Sequence, residues 1–179
     1  MIRRAAAAAI VLALALGMTT ACQPDPAPSA SGPIFANEEE AFAAAEETYR
    51  AYVDALNQVD LSDPETFEAV YAWTTGDFNA GERTTLSKMH AEAWTVSGES
   101  EITRIDHLVA GESFMDVMLG SCVDVSSVVL LDAEGVSKVA PDRPDMQMTE
   151  VDLQWSESSP TGYLISEVAG AELEPSCLP

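Results

Sequence analysis

Apolar and polar positions along the chain follow two different periods, one typical of helices and one typical of strands. From Phe42 to Leu56, apolar residues recur every three or four positions, which predicts a long amphipathic helix. Asn37 and Glu40, in front of this stripe, have the spacing of a capping box. The first helix is therefore expected to start directly after Asn37.

Two more helices are predicted in the first half of the chain. Asp63 is the expected cap of the second helix, Pro64 occupies its first position, and Gly76 ends it. A third helix is predicted over about residues 80–94, with Leu86 on its inner face.

Beyond Gly98, β-branched residues with some period-two alternation predict a sheet of about four antiparallel strands. The predicted strands are Ile102–Val109, Phe114–Val125 with an irregular continuation to Leu131, Met146–Trp155 and Tyr163–Val168. Helices followed by antiparallel strands indicate an α+β fold, with three N-terminal helices packed on a curved sheet.

The first residues have the composition of an export signal. A basic start precedes an apolar stretch over residues 5–18, which is shorter than the roughly 20 residues of a membrane-spanning helix. The sequence Thr19-Thr20-Ala21-Cys22 resembles the lipobox of bacterial lipoproteins, with Thr19 in the place of the usual Leu. The resemblance implies removal of residues 1–21 and a lipid on Cys22 that anchors the protein to the outer face of the cell membrane. An ordinary signal peptide cut at Ala21 is the alternative.

The segment after Cys22 is predicted to be a tether. Residues 23–33 are rich in Pro, Ser and Gly and contain no large apolar side chain, so a flexible segment is expected over residues 22–36. The remaining residues, 37–179, have the length of one domain with a single core.

The predicted mature chain is strongly acidic. Removal of residues 1–21 takes away Arg3 and Arg4 and no acid, which leaves 6 basic against 30 acidic residues and a net charge of −24. This charge repels nucleic acid, so no nucleic-acid partner is expected. Solubility is one use of the charge, and attraction of cations or of a basic partner is the alternative.

The three cysteines fit an exported protein. With Cys22 lipidated, Cys122 and Cys177 can form a disulfide, because disulfides persist outside the cytosol. Two buried free thiols are the alternative.

One helical segment carries a family resemblance. The run from Tyr49 to Asp60, followed by Phe67 and Tyr71, resembles the opening of the NTF2-like superfamily. The segment from Tyr71 to Gly76, the lipobox and the late Cys pair resemble, more narrowly, small NTF2-like lipoproteins of Gram-positive bacteria. The resemblance implies a conical cavity between helices and sheet.

Aromatic side chains are the candidates for lining such a cavity, and packing in the core is the alternative role for each. These candidates are Tyr49, Tyr52, Tyr71, Trp73 and Trp94. Ketosteroid isomerases of this superfamily use an Asp base, a Tyr and a protonated acid. Tyr49 or Tyr52 resembles the isomerase Tyr in position, but the position of the base has no clear match in this chain.

No metal or cofactor site is predicted. His107 follows Asp106 on a strand, where neighbouring side chains point to opposite faces, so the two form no dyad. His90 lies on the third helix, and an ordinary surface or packed role is the alternative to a general base for both histidines. Two distant histidines do not supply the three or four ligands of a zinc site. The turn at Asp132 lacks the alternating oxygen ligands of a calcium loop. The negative charge of the chain is then the one feature that favours calcium binding.

These features predict a non-enzymatic lipoprotein domain that binds a small molecule or another envelope protein. The alternative is a cavity enzyme of the ketosteroid-isomerase or hydratase type. A carboxylate and a Tyr converging in a dry cavity would favour the enzyme, whereas a cavity filled by side chains would favour a protein-binding role.

Overall fold

In a computed structural model, residues 35–171 and Cys177 are described; the predicted export signal, Cys22 and the predicted tether up to residue 34 lie outside them. The helices are α1 (Glu38–Asn57), α2 (Phe67–Tyr71) and α3 (Gly76–Ala91), and a 3-10 turn at Pro64–Thr66 leads into α2. The strands are β1 (Thr95–Ser97), β2 (Glu101–Ala110), β3 (Asp116–Asp124), β4 (Val129–Leu131), β5 (Met146–Trp155) and β6 (Tyr163–Gly170). Helices followed by a mostly antiparallel sheet form the predicted α+β architecture, which is consistent with the NTF2-like resemblance. Among the described residues, no helix combines the length and the apolar composition needed to span a membrane.

Helix α1 starts where its sequence predicts. The Asn37 Oδ1 atom accepts a hydrogen bond from the Glu40 backbone N–H at 2.9 Å, and the Glu40 carboxylate accepts one from the Ala36 N–H at 2.9 Å. Both bonds satisfy backbone donors that a helix end leaves unpaired. Asp63 also caps as predicted, since its Oδ1 accepts from the Glu65 N–H at 3.1 Å, but it caps the 3-10 turn rather than α2 itself.

The ends of α2 and α3 differ from the prediction. Helix α2 stops at Tyr71, and Gly76 is the first residue of α3 rather than the end of α2. The segment between them is held along β6, because the Ile165 N–H donates to the Trp73 carbonyl at 2.9 Å and the Thr75 N–H donates to the Ile165 carbonyl at 2.8 Å. Helix α3 then begins early and ends at Ala91, three residues before Trp94.

The strands form two antiparallel sheets in the described part of the chain. The main sheet has four strands in the order β2-β3-β5-β6, and β1 pairs with β4 in a two-stranded ribbon. The single long strand predicted from Phe114 to Leu131 is wrong, because β3 ends at Asp124 and a turn closed by the Val128 N–H and the Val125 carbonyl, 3.0 Å apart, separates it from β4. Strand β1, the partner of β4, was not predicted at all.

The core lies between α1 and the inner face of the main sheet. Helix α1 buries the side of its surface that carries Phe42, Tyr49 and Tyr52, and the sheet contributes fully buried aliphatic side chains. The latter are Val117, Leu119, Val151, Leu153 and Ile165. Phe35 stacks on Tyr163 with ring centroids 5.0 Å apart, so the packed part of the chain includes a residue of the predicted tether.

Candidate functional site

A cleft of about 750 Å³ opens beside the main sheet. It lies between the carboxyl end of α1, the segment that follows α1, helix α3, and the β1–β4 ribbon with the chain after it. The volume falls within the roughly 300–1,000 Å³ that is usual for small-molecule sites.

The walls of the cleft are aliphatic on both sides. Side chains from the helical side are Leu56, Val59, Leu61, Leu86 and Met89, and those from the ribbon side are Val96, Val128, Leu130 and Val139. Val96 keeps 37% of its surface exposed. The apolar part of the cleft therefore suits an apolar ligand group.

The junction between α1 and the ribbon is fixed by two reciprocal pairs of hydrogen bonds. The Asn57 Nδ2 donates to the Ser100 carbonyl at 2.9 Å, and the Ser100 N–H donates back to Asn57 Oδ1 at 2.8 Å. The Ser127 hydroxyl donates to the Glu99 carbonyl at 2.8 Å, and the Glu99 N–H donates to Ser127 Oγ at 3.0 Å. Gly98 permits this approach, because a Cβ at that position would collide with the Ser127 carbonyl.

Arg143 supplies the basic group of the cleft. Its Nη2 donates to the Val125 carbonyl at 2.6 Å and to the Val128 carbonyl at 3.2 Å, which fastens the guanidinium to the turn between β3 and β4. Of the described residues that line the cleft, Arg143 is the one base and Glu99 is the one acid. Arg143 is half-buried and Glu99 is exposed.

The aromatic residues proposed for a cavity lie elsewhere, and none of them lines this cleft. Tyr49, Tyr52 and Tyr71 are buried in the core, where the rings of Tyr49 and Tyr52 stack 6.4 Å apart and the Tyr49 hydroxyl lies 3.4 Å from Thr149 Oγ1. Trp73 and Trp94 are half-buried against the core. The resemblance implied that these aromatic residues line a cavity, but their side chains pack in the core or against it.

A carboxylate does approach two of these tyrosines. Burial raises the pKa of the Glu82 carboxyl. Burial, with a smaller contribution from the charge of Glu82, also raises the pKa of Tyr52. Glu82 acts on Tyr52 and Tyr71 through its charge, and no hydrogen bond joins it to either of them in the described part of the chain.

The two histidines have structural partners. His107 Nε2 lies 2.7 Å from Glu46 Oε1, and its ring stacks on Phe42 at 4.2 Å, which ties β2 to α1. Asp106 instead pairs with Arg104. His90 Nδ1 lies 2.8 Å from the Leu61 carbonyl.

The structure also shows the contacts of the cysteine pair and of the turn at Asp132. Cys122 and Cys177 form a disulfide with sulfur atoms 2.06 Å apart, which confirms the predicted pairing. Asp132 Oδ1 accepts from the Glu134 and Val136 N–H groups and so caps its own turn. Within the described residues, no three Asp, Glu, His or Cys side chains are grouped as metal ligands.

The residues that form the cleft were missed by the sequence analysis. The sequence analysis assigned no role to Asn57 or to Arg143. The signal that was available is the scarcity of basic residues, of which the predicted mature chain has only 6.

No protein-family model matches the chain, and no curated protein sequence matches it. Its fold is similar to that of the intermembrane-space region of the chloroplast protein ARC6, with 12% identity and a TM-score of 0.51 over 72% of this chain and 94% of that one. A protein named as an aromatic ring hydroxylase from Novosphingobium aromaticivorans has 14% identity and a TM-score of 0.47, over 76% and 96% of the two chains. CagV of Helicobacter pylori, a VirB8 homolog, has 8% identity and a TM-score of 0.46, over 74% and 99%. At these identities the similarity concerns the fold alone.

Proposed function

We propose that this protein is an extracytoplasmic lipoprotein of the NTF2-like type that binds a small, largely apolar molecule in the cleft between α1, α3 and the β1–β4 ribbon. The observation that carries the proposal is the cleft itself, about 750 Å³ in volume and aliphatic on both walls. Small-molecule sites combine a concave apolar surface with a few placed polar groups, and Arg143, Asn57 and Ser100 are such groups here.

Binding rather than catalysis is supported by the groups at the cleft. The described residues that line it include one exposed acid and no Tyr, His or Cys. General acid–base chemistry needs a titratable group within hydrogen-bond reach of the reacting atom, and the half-buried Glu82 does not line the cleft.

A neutral fluorescent dye such as Nile red tests whether the cleft binds ligands. The full mature chain, residues 22–179 with Cys22→Ser, avoids competition from an anchor lipid. Val96→Asp places a carboxylate on the cleft wall and is expected to weaken dye binding at least about tenfold, because a charge has to be desolvated beside the apolar dye. Val136→Asp is the matched control, since Val136 is 59% exposed and lies outside the cleft. Absence of saturable binding, or equal weakening by both variants, would overturn the proposal.

The location is supported by the export signal, the lipobox-like sequence before Cys22 and the Cys122–Cys177 disulfide, a bond that is usual outside the cytosol. Cys22→Ala in the full precursor should abolish metabolic labelling with palmitate and release the domain from membranes. Retention of the variant on membranes would contradict the lipid anchor and leave the dye experiment unaffected.

A further inference from the structure

Arg143 differs from the other arginines of the described chain in what it contacts. Arg50, Arg83 and Arg104 each form an ion pair with an acid, whereas Arg143 bonds to the backbone carbonyls of residues 125 and 128. Lys138 is also paired with an acid, and Lys88, which forms no ion pair among the described residues, is exposed. In a domain with this excess of acids, a half-buried Arg without a carboxylate partner is the exception.

The two carbonyls use only one nitrogen of the guanidinium. Both bonds come from Nη2, and the Nε and Nη1 donors have no partner among the residues that the structure describes. A guanidinium carries five N–H donors and is always charged in proteins. The backbone bonds therefore hold the group in place and leave donors and a full positive charge available to a ligand.

The cleft that holds this charge is lined mainly by aliphatic side chains, with Glu99 as its one acid among the described residues. Leu56 and Leu86 face the cleft from the helices, and Leu130 and Val139 face it from the chain that leads towards Arg143. A ligand that fits both the charge and the walls has one anionic end and an aliphatic body.

Resting on the proposed role of the cleft as a ligand site, we propose that its ligand is a single-chain amphiphile with a carboxylate headgroup, and that Arg143 binds the headgroup while the chain lies against the aliphatic walls. Such a ligand adds a charge-assisted hydrogen bond to the burial of its chain, and bonds of this type are about twice as strong as neutral ones. The carboxylate provides the acceptor that the remaining Arg143 donors lack.

Displacement of Nile red by decanoate and by decanol tests this assignment, because the two differ only in the headgroup. With the mature chain carrying Cys22→Ser at pH 8, decanoate is expected to displace the dye at a concentration about tenfold lower than decanol. Arg143→Gln should remove this preference by weakening decanoate alone. Lys138→Gln, which removes a positive charge from the same segment outside the cleft, should keep it.

Each outcome separates the two proposals. If the dye binds and both competitors displace it equally, the carboxylate assignment is overturned and ligand binding by the cleft stands. If no dye binds in the cleft, the proposed function fails first. If the preference survives in Arg143→Gln, Arg143 is not the headgroup contact. If Arg143→Gln weakens the binding of decanol as well, Arg143→Lys is used as the test variant in its place. Arg143→Lys keeps the positive charge, so it should still prefer decanoate over decanol. Loss of that preference in Arg143→Lys would overturn the assignment.

Discussion

Asn57, the last residue of α1, and Ser100, the residue before β2, exchange two hydrogen bonds of 2.9 and 2.8 Å. The amide side chain of Asn57 imitates a strand partner, donating to the Ser100 carbonyl and accepting from its N–H. Because both groups are half-buried, this pair fixes where the helix meets the sheet and shapes one corner of the cleft.

The first prediction concerns this pair. Asn57→Asp keeps the acceptor but removes the donor and turns a charged oxygen towards the Ser100 carbonyl, which should lower the free energy of unfolding by about 1–3 kcal/mol. The free energy can be measured by urea denaturation. Gln58→Glu makes the same chemical change one residue later at an exposed site. It removes the bond from Gln58 Nε2 to the Asp54 carbonyl and adds an acid at the carboxyl end of α1, so it should cost about 1 kcal/mol or less. Equal costs for the two variants would show that the Asn57–Ser100 pair contributes nothing specific.

A second prediction separates backbone strain from collision. Gly98 and Gly135 have φ of +82° and +78°, so alanine at either position should cost about 1–2 kcal/mol for the left-handed conformation. A Cβ at Gly135 meets nothing within 4 Å, whereas at Gly98 it collides with the Ser127 carbonyl. Gly98→Ala is therefore expected to cost at least about 1 kcal/mol more than Gly135→Ala in urea denaturation.

The same two variants report on the cleft. Gly98→Ala must displace Ser127 or residues 98–100 and should weaken Nile red binding, while Gly135→Ala should leave dye binding unchanged. Similar stabilities for both variants would mean that the ribbon yields without cost and that Gly98 does not fix the junction.

The long elements of the fold were predictable because their periodicity is local. The predicted strand from Met146 to Trp155 coincides with β5, and the first helix starts after Asn37 as its cap indicated. The ribbon was not predictable in this way, because strands of three residues are too short to show an alternation. Val129–Leu131 continued the apolar pattern of β3, and only the turn before it separates the two strands.

The cleft was beyond sequence analysis for a different physical reason. Its lining comes from five separate stretches of the chain, including α1, α3 and the segment of Arg143, so no short motif records it. The NTF2-like resemblance implied a cavity that the aromatic residues of α1 could line. The main sheet covers the face of α1 that carries them, which places Tyr49 and Tyr52 in the core.

A third prediction concerns the disulfide. Cys122 and Cys177 are 55 positions apart, and a loop of that length corresponds to a stabilisation of about 4 kcal/mol in the chain-entropy model. Cys177→Ser is therefore expected to lower the free energy of unfolding by about 2–4 kcal/mol, as measured by urea denaturation without reductant. Repeating both measurements with reductant is the control, because the difference between wild type and variant should then nearly disappear. A difference that persists in reductant would assign the effect to side-chain packing rather than to the crosslink.

The last prediction uses the pH dependence of stability. Burial raises the pKa of Glu82 above its ordinary value of 4.5, so the folded state binds this proton more tightly than the unfolded state does. The contribution of Glu82 to the free energy of unfolding is therefore greatest at pH values below 4.5, and it is lost as the pH rises through the raised pKa. Glu82→Gln removes the charge, so the variant should be more stable than wild type at pH 7, by less than about 1 kcal/mol because the side chain is partly exposed to screening solvent. The stability advantage of Glu82→Gln should narrow as the pH falls towards 4.5.

Urea denaturation of both proteins over this pH range measures the difference. Glu47→Gln, at an exposed position of α1, is the control and is expected to change the free energy of unfolding little at any pH. A variant less stable than wild type at pH 7 would show that the Glu82 carboxylate makes a favourable interaction in the folded protein that outweighs the cost of its burial. A difference independent of pH would show that the effect does not come from ionisation of Glu82.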